Sequence, residues 1–276
     1  MDNEKLKIAL IQMPVSHHKE ENVELACQKV SEAAQSGADM AVLPEMFNCP
    51  YSNDYFPSYA EPRGGDTWQA MSDCARRNQI LLVAGSIPEF DAGQVFNTSF
   101  VFDSQGFQIA RHRKVHLFDI DIVGGQRFFE SETLSAGNEV TVFDSPFGLI
   151  GLCVCFDMRF PELARLMVLN GAQLIVVPGA FNMTTGPAHW EIMFRQRAVD
   201  NQVFTIGVAP ARDESGEYVS YANSIVCSPW GDVLARAGTE ATTLIIELDL
   251  GMNERIRAQL PLLSALRTDL YSVTES

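Results

Sequence analysis

Three places in the chain put a single reactive side chain at the end of an apolar, strand-like run. "VLPE" ends in Glu45, "RHRK" ends in Lys114, and "LCVCF" carries Cys153 and Cys155. A carboxylate, an ammonium and a thiol brought together suffice for acyl transfer. The thiol attacks a carbonyl, the carboxylate takes its proton, and the ammonium holds the developing oxyanion. Strand ends facing long loops are where α/β folds gather such groups. Alternation does not separate the two cysteines, because positions two apart share a face. Cys155 lies nearer the turn into "RFPELAR", where backbone N–H groups and a helix dipole favour a thiolate. Cys153 lies further back among apolar residues that keep a thiol inert. Cys155 is therefore the expected nucleophile, against the plainer reading of both as core residues. Glu45 as a cap and Lys114 as a solvated edge residue are the corresponding plain readings.

The pattern around these residues predicts the elements that position them. "LKIALIQM" reads as a buried first strand, and "MAVLPE" as a short one ending at Pro44. Between them Val23, Ala26, Cys27, Val30 and Ala34 recur at helical spacing, predicting a helix over 22–35. The stretch 46–65, rich in Pro, Tyr, Asn and Gly, reads as a long loop before a helix over 67–77. "ILLVAGSIP", "VFNTSFVF" and "FQIARHRK" read as three antiparallel strands, with turns at "DAGQ" and "DSQG". An irregular stretch over 115–138 precedes strands at 140–143 and 149–155. Pro161 opens a helix that Gly171 ends, "AQLIVVP" is a buried strand, and a helix follows over 188–202, with Glu191 placed to pair with Arg195. Strands at 203–208, 224–227 and 243–248 lead into a tail from about 250. Trp190, spaced helically with Met193, Phe194 and Arg197, reads as core. The chain lacks linkers and low-complexity tracts, so residues 1–276 read as one domain with a C-terminal extension over about 250–276. Strand–helix–strand–helix followed by strands occurs in both halves. That order predicts an α/β fold: two mixed sheets packed face to face with outer helices, a four-layer α-β-β-α sandwich.

Composition narrows the function classes. The net charge of −15 is spread along the chain, which suits solubility and disfavours nucleic acid. The basic cluster at Arg111–Lys114 is too short for a groove-binding stripe. There is no apolar run of ~18 residues and no secretory leader pattern, so neither a membrane nor export is expected. Six cysteines without a CxxC pair predict a reducing, cytoplasmic setting without disulfides. His112 and His116 with Cys153 and Cys155 match no usual zinc spacing, so no metal or other cofactor is expected. None of the five histidines (His17, His18, His112, His116, His189) sits in a motif that would orient a Cys–His pair.

"LPEMF", "HRKVHLFD" and "GLCVCFDMRFPE" agree in order and spacing with the three motifs of the nitrilase superfamily of carbon–nitrogen hydrolases, which the chain resembles over nearly its full length. The resemblance places the nucleophile on Cys155, leaving Cys153 where glycine is more usual. "FFESETLSAGN" resembles a further element that adds Glu130 beside Lys114. It implies an α-β-β-α sandwich, usually a homodimer. "FNCPYSNDYFPSYAE", "HLFDIDI", "AFNMTTGPAHWE" and "RAVDNQVF" carry the closest likeness, to the ω-amidase branch. The implied substrate is a short 2-oxo dicarboxylic acid monoamide, such as 2-oxoglutaramate or 2-oxosuccinamate, hydrolysed with water through a thioester. In that scheme Glu45 is the base, Lys114 and the Phe156 N–H hold the oxyanion, and Glu130 orients Lys114. Arg159, Tyr51, Thr184 and Thr185 are candidates for the substrate carboxylate, and Tyr51 and Phe118 for the pocket wall. For Arg159 an internal ion pair with Asp157 or Glu162 competes. "IVGGQR" at 122–127 departs from the Pro-Gly turn and lysine expected there, and Phe156 from the common choice. Deaminated glutathione amidase is the rival activity; a non-catalytic interaction protein is the rival class.

Overall fold

The computed structural model describes residues 5–275. In chain order the first half comprises β1 (Lys5–Gln12), α1 (Lys19–Gln35), β2 (Met40–Val42), α2 (Phe56–Tyr59) and α3 (Asp66–Asn78). It continues with β3 (Leu81–Val83), β4 (Ile87–Asp91), β5 (Gln94–Phe102) and β6 (Gln108–Arg113). A small hairpin of β7 (Asp119–Asp121) and β8 (Arg127–Phe129) follows. The second half comprises β9 (Thr141–Ser145), β10 (Gly148–Leu152), α4 (Pro161–Leu169), β11 (Leu174–Pro178) and α5 (Gly186–Asn201). Then come β12 (Phe204–Val208), β13 (Ile225–Cys227), β14 (Val233–Arg236), β15 (Thr242–Asp249) and α6 (Met252–Gln259).

Among the described residues the first sheet runs β15-β1-β2-β3-β5-β4, with β6 on the other edge of β5. The second runs β14-β13-β12-β11-β10-β9. Alternation in β1 shows how the layers arise. Leu6, Ile8 and Leu10 face a core shared with Ile150, Leu152, Leu174, Val176, Phe204 and Ile206 of the second sheet. Ala9 and Ile11 point the other way, onto Ala26 and Val30 of α1 and Met71 of α3. On the far side Ile175 and Val177 pack under Leu163 and Met167 of α4 and Trp190 and Phe194 of α5. The result is the α-β-β-α sandwich that the element order predicts, and Trp190 is fully buried core.

The helices begin where local chemistry satisfies their first N–H groups. Glu61 accepts the Thr67 N–H (2.8 Å) and hydroxyl (2.6 Å) at the start of α3. Proline stands in the first turns of α4 and α5. Glu191 and Arg195 form the expected i,i+4 pair, 3.5 Å apart.

Several expected boundaries move. The strand read over 80–88 is two strands, broken at Ala84–Ser86, because Ser86 binds the backbone of the neighbouring Glu45 turn. The loop over 46–65 contains α2, and the stretch 115–138 contains the β7–β8 hairpin. The strand read over 149–155 ends at Leu152, so Cys155 is not a strand residue. After α6 the tail runs on as turns and irregular chain.

Candidate active site

Glu45 follows β2 by three residues, in a turn held by loop 84–86. Ser86 Oγ accepts the Met46 N–H (3.1 Å), and the Ser86 N–H reaches the Pro44 carbonyl (3.3 Å). Gly85 has φ +45°, and a Cβ there would come within 2.1 Å of the Pro44 oxygen, so only glycine fits under the turn. Lys114 follows β6 directly, its N–H bonded to the Asn97 carbonyl (2.8 Å). Glu130 opens a short 3-10 turn after β8. Cys155 opens another, over residues 155–159, with φ +49°.

These four side chains converge and are buried. Lys114 Nζ donates to Glu45 Oε1 (3.0 Å) and Glu130 Oε1 (2.9 Å). Asn97 Nδ2 also donates to Glu45 Oε1 (2.8 Å), while Glu45 Oε2 is buried without an N–H or O–H donor, leaving this carboxylate open to the Cys155 thiol. Glu130 Oε2 takes the Phe118 N–H (2.7 Å) and Oε1 the Tyr51 hydroxyl (2.5 Å). The ammonium is thus fixed between two carboxylates. One of these is saturated with hydrogen bonds, and the other keeps an oxygen free.

The charges set the proton positions. Burial raises the Glu45 carboxyl above its usual range, and the nearby Lys114 charge offsets this only partly. Burial alone would pull Lys114 down, but Glu130 and Glu45 outweigh it and hold the ammonium above its ordinary range. Burial and then the Glu45 charge push the Cys155 thiol well above its ordinary value, despite Lys114. The expected help from a helix dipole is absent: α4 starts at Pro161, six residues after Cys155. The resting thiol is therefore protonated, with a carboxylate close by to receive its proton.

The other predicted residues divide. Phe118 is buried against Phe156 (ring centroids 5.3 Å apart) and forms a wall with Phe128. Tyr51 lies within the four-residue cluster, but its hydroxyl is spent on Glu130, which leaves it no donor for a substrate carboxylate. Arg159 pairs with neither Asp157 nor Glu162. Its guanidinium lies over Phe181 (4.8 Å) and Phe156 (5.4 Å), Nη1 meets His189 Nδ1 (3.1 Å), and Nε is buried without a partner. Thr185 caps its own turn through Asn182 Oδ1 (N–H 2.8 Å, hydroxyl 3.0 Å) and is not free for a ligand. Thr184 is exposed, its methyl beside Gly125 of the "IVGGQR" loop. Asn182 is hydrogen-bonded to Gln126 of the same loop, so this departure ties the β7–β8 hairpin to the segment before α5.

Two contributors escape the sequence reading. Tyr218 stacks on Tyr51 (4.5 Å) and donates its hydroxyl to the Ala180 carbonyl, whose own N–H points to the Cys155 sulfur. Nothing in "EYVSY" marks it. Asn97 does leave a signal: "NTS" is a polar run inside the apolar β5. A cavity of about 780 Å³ opens beside Glu45, Tyr51, Ala180 and Tyr218. All six cysteines are free thiols; Cys153 is buried, and burial raises its thiol too.

The sequence profile of the carbon–nitrogen hydrolases matches residues 7–258. The chain belongs to the carbon–nitrogen hydrolase family. This hydrolase is 50% identical over 267 residues to the omega-amidase NIT2 of Mus musculus, covering 97% of each chain. Its fold superposes on Nit3 of Saccharomyces cerevisiae, a member of branch 10 of the nitrilase superfamily, with TM-score 0.88 at 40% identity and 96% coverage of each. A Nesterenkonia amidase mutant, with an acetamide moiety covalently added at its active-site cysteine, matches with TM-score 0.80 at 25% identity, covering 96% of this chain and 95% of that one.

Proposed function

We propose that this hydrolase is an ω-amidase, converting short 2-oxo dicarboxylic acid monoamides such as 2-oxoglutaramate and 2-oxosuccinamate to the dicarboxylate and ammonia. The observation that carries the mechanism is the convergence of Glu45, Lys114, Glu130 and Cys155, with one carboxylate oxygen unengaged. The substrate class comes from the likeness to omega-amidases over nearly the whole chain. Glu45 takes the thiol proton as Cys155 attacks the amide carbonyl. The oxyanion forms against the Lys114 ammonium and the Phe156 N–H. Glu45 returns the proton to the departing ammonia, leaving a thioester. Water, deprotonated by Glu45, then cleaves the thioester and restores the thiol. Glu130, bonded on both oxygens, holds Lys114 in place and charged. The homodimer, the cytoplasmic setting and the single domain with its extension from about residue 250 belong to the same proposal. No helix among the described residues is long and apolar enough to cross a membrane.

The pH profile tests the proton assignments. Glu45 must be ionised before attack, and its proton affinity is raised above the ordinary 4.5. As pH falls, kcat/KM should therefore begin to decline above that value. The thiol must keep its proton until attack, and its affinity exceeds the ordinary 9.0, so no thiol-derived limb should appear below pH 9. Glu45→Gln should lower kcat by about 10²–10⁴-fold, the usual worth of a general base, and remove the acid limb. Near-parent activity in that variant would refute the assignment.

Arg159 is the cation left for the substrate carboxylate, since it lacks a carboxylate partner and holds a buried, unengaged Nε. Arg159→Ala should raise KM for 2-oxoglutaramate about 10- to 100-fold, the scale of a lost charged hydrogen bond. Ammonia release from 2-oxoglutaramate and deaminated glutathione, measured side by side, decides the branch. Preference for deaminated glutathione keeps the chemistry and overturns the substrate.

A further inference from the structure

The strongest unexplained feature near the nucleophile is a buried carboxylate that the mechanism does not use. Asp157 is 1% exposed and accepts four hydrogen bonds. Oδ2 takes the Val154 N–H (3.0 Å) and His112 Nε2 (3.0 Å). Oδ1 takes the His116 N–H (2.8 Å) and His116 Nδ1 (2.8 Å). His112 is fixed in turn by Thr141 Oγ1 at Nδ1 (2.9 Å), and the His116 ring stacks on Phe160 at 3.6 Å.

The sequence positions matter as much as the distances. Val154 immediately precedes Cys155, and Asp157 follows it by two residues. His112 and His116 lie two residues on either side of Lys114. One carboxylate therefore fastens the turn carrying the thiol to the strand end carrying the ammonium. That turn needs fastening, because Cys155 sits at φ +49°, a conformation a side-chain-bearing residue holds only when its surroundings impose it. Its other end is gripped by Arg197, whose Nε and Nη2 donate to the Met158 (3.2 Å) and Arg159 (3.1 Å) carbonyls.

We infer that Asp157 is a positioning residue for amide hydrolysis: with His112 and His116 it sets the distance between the Cys155 sulfur and the Lys114 ammonium. It touches neither substrate nor reacting atoms. The inference rests on the assignment of Cys155 and Lys114 proposed above. His112 and His116 thereby gain a role. They are the donors that attach the Lys114 segment to Asp157.

A misplacement of about 1 Å costs a reaction on the order of 10²-fold, and it acts on kcat, because Arg197 still grips the Met158–Arg159 end of the turn and so keeps Arg159 in place for the substrate. The test is kcat and KM for ammonia release from 2-oxoglutaramate, per folded molecule, with Cys155→Ala run alongside. Asp157→Asn, which turns one acceptor into a donor facing donors, should lose about 100-fold in kcat with KM within about threefold. His116 is partly exposed, so its variants fold even where Asp157→Asn does not. His116→Ala should lose about tenfold in kcat. His116→Asn, whose amide N–H occupies the place of Nδ1–H, should recover to within about threefold of the parent. His116→Ala at the parent kcat, or His116→Asn no better than His116→Ala, overturns the inference. Ammonia release by Cys155→Ala at the parent rate overturns instead the site assignment on which it rests.

Discussion

Lys114→Met should lower kcat/KM for 2-oxoglutaramate by about 10²–10³-fold and should weaken the fold as well. The catalytic loss is that of an oxyanion donor, about 2.7–4 kcal/mol. The structural loss has a different origin. Lys114 is fully buried between Glu45 and Glu130, at 3.0 and 2.9 Å. Removing the cation leaves two carboxylates facing each other away from water, and breaking a buried pair in this way costs about 3–5 kcal/mol. The stranded carboxyls then bind protons more tightly in the folded than in the unfolded chain. Stability carried by such raised groups is present at low pH and is lost as pH rises through their folded values. The fall in melting temperature should therefore be larger at pH 8 than at pH 5. Equal deficits at the two pH values would show that Lys114 does not act as the counter-ion of this pair.

Cys155→Ala should reduce ammonia release to the uncatalysed background, whereas Cys153→Ala should stay within about threefold of the parent. The two residues have the same chemistry, similar burial and one residue between them, so the contrast isolates position. Cys155 alone sits in the strained turn within reach of Glu45. Cys153 belongs to the apolar cluster between the second sheet and its helices, with its N–H on the Val176 carbonyl (3.2 Å). Truncating it removes one buried sulfur from packing, a change of about 1 kcal/mol in stability, and leaves the reacting atoms untouched. Rates for the two variants in a coupled ammonia assay decide the matter; a dead Cys153→Ala with normal melting would place the nucleophile wrongly.

Hydrophobic alternation and helix spacing were enough to read the layers, because burial acts residue by residue along each element. Val30 on α1 and Ile175 on β11 announce their faces without help from the rest of the chain. The convergence of Glu45, Lys114 and Cys155 was readable only as a coincidence of strand ends, strengthened by the family motifs. What stayed hidden are contacts made between distant segments. Tyr218 reaches the site from a loop with no periodicity. The break at Ala84–Ser86 exists because the Glu45 turn needs Ser86, a demand that "LVAGSIP" does not display. For Arg159 the sequence leaves two readings, the substrate carboxylate or an ion pair with Asp157 or Glu162; Asp157 is saturated by two histidines from another strand end, which nothing near Arg159 in sequence displays. The reading of Cys155 on a strand, aided by a helix dipole, failed for a related reason. A left-handed turn at a non-glycine residue is imposed from outside and leaves no local mark.

The pairing of β1 with β15 has a consequence for the order of events during synthesis. Lys5 lies opposite Asp249 and Gln12 opposite Thr242, an antiparallel ladder whose partners are separated by more than two hundred residues. A ribosome that has already delivered Glu45, Lys114, Glu130 and Cys155 has not yet delivered the strand that covers the edge of β1. Until it does, one edge of the first sheet stands open, with apolar Leu6, Ile8 and Leu10 on its inner face, ready to pair with another chain. Closing so long a loop is slow. The nascent chain thus passes through an interval in which the whole reactive set exists but the sheet beneath half of it is unfinished, and that interval is when aggregation competes best with folding.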